Sequence, residues 1–181
     1  AIELKPDFAE AHSNLGIILK DLGKLKEGEF SIRKAIELKP DDPEFHSNLG
    51  IILTELGKLD EAETSFSKAI SLNPISSSIL MNRSQLLFEK KEFNKALIDA
   101  DSCNTKESRV FSLIILYTLG RIDEIFERIE KTCELDDENI GLAAFSSFIA
   151  EQEKKGTSHN FCQNPLSFLY FSNLKSHLKD Y

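Results

Sequence analysis

Four histidines, three cysteines and 30 carboxylates are the side chains of this 181-residue chain that could hold a metal or move a proton. A facial-triad iron site needs a His-x-Asp/Glu pair and a distant second His, because two imidazoles and one carboxylate must converge while leaving coordination positions open. None of His12, His46, His159 and His177 is followed two residues later by an acid. His159 and Cys162 form one HxxC pair, but a closed zinc site takes four ligands, so a polar loop is the expectation there. No GxGxxG, Walker loop or GxSxG occurs. The residues point to no catalytic group, no metal ligand and no cofactor.

Asparagine is the more informative residue type. Asn14, Asn48 and Asn82 recur at a spacing of 34. A primary amide carries both donors and an acceptor, which matches the N–H and C=O that an extended peptide backbone presents. The elements that must place these amides are written in the same period. HSNLGIIL runs from His12 to Leu19 and again, letter for letter, from His46 to Leu53; AIELKP at Ala35–Pro40 is answered by AISLNP at Ala69–Pro74. Residues three and four apart share a helix face, so His12, Leu15, Gly16 and Leu19 form a stripe expected to be buried, with His46 in the same packing column. LGK at Leu22–Lys24 and Leu56–Lys58 puts Gly between two helices, and the Pro at each unit's end stops the second. The fold class that follows is all-α: stacked antiparallel helix pairs with turns near Gly23, Gly57, Lys91 and Gly120.

These columns resemble the tetratricopeptide repeat, whose period is about 34 residues. The signature positions fall on His12, Leu15, Gly16, Leu19, Gly28, Ile32, Ala35 and Pro40, then on His46, Leu49, Gly50, Leu53, Ala62, Phe66, Ala69 and Pro74. His stands where an aromatic is usual, and Gly28 replaces the small Ala, at an expected cost of about 1 kcal/mol in helix propensity. The resemblance implies an α-solenoid divided as residues 1–8 (the end of a truncated repeat, since AIELKP also opens the chain), 9–42, 43–76, a degenerate third repeat 77–105, a degenerate fourth 106–139 and C-terminal helices 140–181. The second helix of the third unit reads about five residues shorter than the period requires.

In such arrays the first helices line the concave surface. Asn14, two residues past His12, turns away from the buried stripe, and with its neighbours defines an expected peptide groove of Asn14, Asn48, Asn82, Ile17, Ile51, Gln85, Asp21 and Glu55. The repeats look like those of O-linked N-acetylglucosamine transferases, whose inner face carries an asparagine ladder. Hydrogen bonding of these amides within the array is the competing expectation. Repeat domains that clamp a C-terminal carboxylate use Lys or Arg on this face; here Asp21, Glu55 and Glu89 stand, with Glu10 and Glu44 nearby. The expected partner is therefore a neutral or basic protein or extended peptide, and the expected role a binding scaffold, not an enzyme. The tail resembles the segment that follows the repeats in some bacterial tetratricopeptide proteins with a 2-oxoglutarate and Fe(II)-dependent oxygenase domain; the alternative expectation is a non-catalytic N-terminal part of such an enzyme or of a glycosyltransferase.

A formal charge of −8, with basic residues interleaved among acids, disfavours nucleic acid. The apolar runs fall short of the ~20 residues of a spanning helix, so no membrane span is expected. Three Cys without CxxC spacing suit reduced thiols and a cytoplasmic location. Near the end, Asn164 and Pro165 are expected to start a helix whose Phe168 and Phe171 exceed what docking can cover, which gives an expectation of contact with a further domain or self-association.

Overall fold

The computed structural model describes residues 8–133 and Ile149. Among them every regular element is an α-helix: α1 Ala9–Asp21, α2 Leu25–Leu38, α3 Pro43–Glu55, α4 Leu59–Leu72, α5 Ser77–Glu89, α6 Phe93–Cys103, α7 Lys106–Thr118 and α8 Ile122–Cys133. The chain divides into two compact units, Ala1–Asn104 and Thr105–Tyr181. In the first, α1/α2, α3/α4 and α5/α6 are hairpins; α2 packs on α3 and α4 on α5, and the first helices also touch one another, α1 to α3 and α3 to α5. In the second, α7 pairs with α8.

The hairpin turns share one chemistry. Gly23, Gly57 and Gly120 take φ of 74°, 73° and 70°, and Lys91 takes 61°. After each, a backbone N–H reaches back to the last turn of the first helix: Lys24 to Leu19, Lys58 to Leu53, Glu92 to Leu87 and Arg121 to Leu116, all at 2.8–2.9 Å. This satisfies carbonyls that a helix end would leave open. Between hairpins the starts are capped where the sequence allows. Asp42 accepts from the Glu44 N–H ahead of Pro43, and Thr105 and Ser108 form a reciprocal capping box on α7.

From α1 to α3 and from α3 to α5 the helix starts advance by 34 residues, from α5 to α7 by 29. The shortfall is five, but it does not all lie in the second helix, where the sequence suggests it. Three residues come off the second helix, 11 long in α6 against 14 in α2 and α4. The other two come off the connector, Asn104–Thr105 against four residues before α3 and α5. Asn104 allows the tight link by taking the left-handed conformation, φ 50°.

The core of the first unit joins Ile32 of α2, Leu49, Ile52 and Leu53 of α3, Ala62, Phe66 and Ala69 of α4, and Ile79 and Leu86 of α5. Gly16 and Gly50 are where helices meet most closely: a Cβ on Gly16 would lie 2.6 Å from Ile32, and one on Gly50 2.8 Å from the Phe66 ring. Gly28 is not simply a weak helix former, as propensity suggests, because its Cβ would stand 2.9 Å from the Gly16 carbonyl oxygen. The His12–Leu19 stripe also departs from expectation. In α3 its counterpart is closed, Leu49 being 5% exposed, whereas Leu15 of α1 is 37% exposed. No element of the described residues covers it as α2 covers α3.

Candidate functional site

The first helices present a grid. Along α1 run Glu10, Asn14, Ile17 and Asp21; along α3, Glu44, Asn48, Ile51 and Glu55; along α5, Ser78, Asn82, Gln85 and Glu89. Positions three and four apart share a helix face, and α1, α3 and α5 adjoin in turn, so the amides fall into one row.

The three amides are not equivalent. Asn14 is exposed, and Asn48 and Asn82 are half-buried. Asn48 donates through Nδ2 to Ser13 Oγ at 3.2 Å, tying α3 to α1. Asn82 makes no such bond to the corresponding Ser47 among the described residues. Asn48 is thus engaged within the array, whereas Asn14 and Asn82 make no side-chain hydrogen bond among the described residues. Ile17 is half-buried and Gln85 exposed, whereas Ile51 packs partly against the core and offers only part of its side chain.

The acid row is less bare than the sequence suggests. Asp21 and Glu55 are both exposed, but Lys20 reaches between them, 3.0 Å from Asp21 and 3.8 Å from Glu55. The hydrogen bond to Asp21, with the pull of Glu55, holds the Lys20 ammonium above its ordinary pKa. Glu10 is likewise paired with Lys39. Both lysines escape a reading by columns, since Lys20 meets Thr54 and Lys39 meets Asn73 one period on. Two further ion pairs were also invisible to spacing. Arg83, beside Asn82, makes a bidentate pair with Asp99 at 2.6 and 2.7 Å, with Asp99 only 4% exposed, and so fixes α5 to α6. Glu29 of α2 accepts from Lys58 at 2.9 Å.

The remaining chemistry-bearing residues are structural where described. His46 Nε2 donates to the Pro40 carbonyl at 2.7 Å, closing the α2–α3 connector. Cys103 is buried with Sγ against the carbonyls of Ser77 and Asp99, and burial pushes its thiol up to about 11, far from thiolate reactivity. No group of three His, Cys, Asp or Glu among the described residues could hold a metal ion, and no described helix is long and apolar enough to cross a membrane. His159, Cys162, His177, Phe168 and Phe171 lie outside the described residues.

A sequence model of the tetratricopeptide repeat family matches residues 43–75, and a second model of that description matches residues 9–42. Those two segments are tetratricopeptide repeats. No curated protein matches the chain in sequence. Solved structures share the fold. Pseudomonas aeruginosa pilF is 17% identical with a TM-score of 0.70, over 81% of this chain and 69% of that one. A tetratricopeptide repeat protein from Parabacteroides merdae is 23% identical with a TM-score of 0.70, over 81% and 60%. YrrB, described as a TPR protein with an unusual peptide-binding site, is 18% identical with a TM-score of 0.66, over 85% and 82%.

Proposed function

We propose that the tetratricopeptide repeats at residues 9–42 and 43–75, with the hairpin α5/α6 that follows, bind an extended segment of a partner protein along the face of α1, α3 and α5. The observation that carries this reading is the row Asn14, Asn48, Asn82, in which the outer two amides have no side-chain hydrogen bond among the described residues. An extended chain needs such repeated donor and acceptor pairs, and packed first helices about 8 to 10 Å apart would meet it roughly every third residue. The likeness to YrrB supports a peptide as the class of ligand. Asp21, Glu55, Glu89 and Glu44 outnumber Lys20 on the face, which favours neutral or basic segments. The reading assigns no reaction to the chain.

The test is selection from a library of unstructured peptides, followed by affinity measurement with Asn82→Ala. Neutral or basic sequences should be enriched, and the substitution should weaken binding at least fivefold while leaving the melting temperature unchanged. Enrichment of acidic tails, or an unchanged affinity, would sink the proposal.

A further inference from the structure

The three amides of the row have one chemistry and three surroundings. Asn14 is exposed, and Asn82 is half-buried with no side-chain hydrogen bond among the described residues. Asn48, also half-buried, donates through Nδ2 to Ser13 Oγ at 3.2 Å, across the contact of α1 with α3. Ser13 is buried, so its hydroxyl reaches the outer face only by way of Asn48. Its counterpart one period on, Ser47, is buried too but takes no bond from Asn82 among the described residues, which confines the arrangement to the middle rung.

The bond constrains the amide as well as the helices. A primary amide has two N–H donors and one carbonyl acceptor. One N–H of Asn48 goes to Ser13, which leaves the second N–H and Oδ1 for the outer face. It also fixes the amide plane about χ2, a torsion that is otherwise broad. The middle amide is therefore held in one orientation before any peptide arrives, whereas no such bond holds Asn14 or Asn82. Ordering a side chain on binding costs affinity, and an amide ordered in advance avoids that cost.

We propose that Ser13 is a positioning residue of the first-helix face: it fixes Asn48 as the anchor rung, where the bound segment must present a backbone N–H and C=O together. Resting on the peptide reading above, this role adds a register and a rule of specificity. The segment residue that lies on α3 is not proline, which has no N–H to give Oδ1. Over α1, the exposed Asn14 amide is free to turn and donate to a carbonyl alone, so proline is tolerated there.

Two measurements test this role. In the whole chain without peptide, side-chain nitrogen relaxation by NMR should find the Asn48 amide more rigid than that of Asn14, and Ser13→Ala should release it. For binding, the probe is the tightest neutral or basic peptide recovered from the unstructured library, labelled with fluorescein and followed by anisotropy at a temperature where every variant is folded. Ser13→Ala should weaken it roughly three- to tenfold, the usual worth of one hydrogen bond. In an Asn48→Ala background the same substitution should change nothing, because Ser13 acts through Asn48. Replacing each peptide residue in turn by its N-methyl form should reveal a position of greatest loss, and that loss should shrink in Ser13→Ala and persist in Asn82→Ala. An Asn48 amide as mobile as that of Asn14 would overturn the role. So would a peptide that Asn82→Ala weakens and Ser13→Ala does not, or an equal effect of Ser13→Ala with and without Asn48; each of these leaves the groove reading standing. Indifference of every recovered peptide to both Asn48→Ala and Asn82→Ala would overturn the groove reading, and the positioning role with it.

Discussion

Asn48 of α3 donates to Ser13 of α1 at 3.2 Å, and the Ser13 that accepts is 4% exposed. The middle amide of the row therefore has one hand inside the array. Asn48→Ala should lower stability by about 0.5–1.5 kcal/mol, the usual net worth of one hydrogen bond, and should weaken peptide binding as well. Asn82→Ala should do only the second. Chemical denaturation of the two variants side by side checks this; equal stabilities would mean that the Asn48–Ser13 bond contributes nothing.

Gly28 and Gly16 mark the closest approach of α1 and α2. Helix propensity alone would reward Gly28→Ala by about 1 kcal/mol. The added methyl would stand 2.9 Å from a backbone oxygen, which cannot rotate away, so the hairpin would have to open. Overpacking of this kind costs roughly 1–3 kcal/mol, and a net loss of about 1 kcal/mol is expected. Ala62, fully buried, occupies the corresponding place in α4, so Ala62→Gly should also destabilise, by removing a packed methyl and lowering helix propensity. A Gly28→Ala variant that melts higher than the parent would contradict the close contact.

Lys91 adopts φ 61° where three sister turns have Gly. A side chain in the left-handed region costs ~1 kcal/mol, and Lys91 is exposed. Lys91→Gly should stabilise the chain by roughly 0.5–1 kcal/mol, and Gly57→Lys should cost a similar amount. Paired melting curves decide it; a loss of stability in Lys91→Gly would mean the Lys91 side chain holds something the turn needs.

The helices and turns were legible because they repeat. Gly23 and Gly57 recur with their flanking Leu and Lys, and even Lys91, which lacks the glycine, is fixed by the period. Burial was legible only in part, since it depends on what lies on the other side of a face. HSNLGIIL carries no mark of whether a roof is present, so Leu49 and Leu15 read alike and differ in fact. Ile52, fully buried, was outside the four-residue stripe because a stripe read from the first hairpin alone describes contact with its own partner helix, not with the preceding one. The site's charges were hardest to see. Lys20 and Lys39 have no counterpart 34 residues on, and the Arg83–Asp99 pair joins two helices only after the hairpin closes.

Glu29 offers a test of how much the second helices are stitched together by charge. Its side chain is 13% exposed, and that burial alone would raise its pKa; the hydrogen bonds from Lys58 and Arg33 more than offset it and hold the carboxyl below its ordinary 4.5. A carboxylate depressed in the folded state adds stability that is present above its unfolded pKa and lost as pH falls through the folded one. Glu29→Gln should therefore lower the melting temperature at pH 7, and the gap to the parent should shrink as pH drops below about 4.5 and close once the parent carboxyl is protonated too. Lys58→Met should reproduce the neutral-pH loss, and combining it with Glu29→Gln should cost less than the sum, because the two groups share one interaction. Melting curves of the four proteins at pH 7 and pH 3 check both points. A gap between Glu29→Gln and the parent that stays constant across that range would show that Glu29 acts by packing and not by charge.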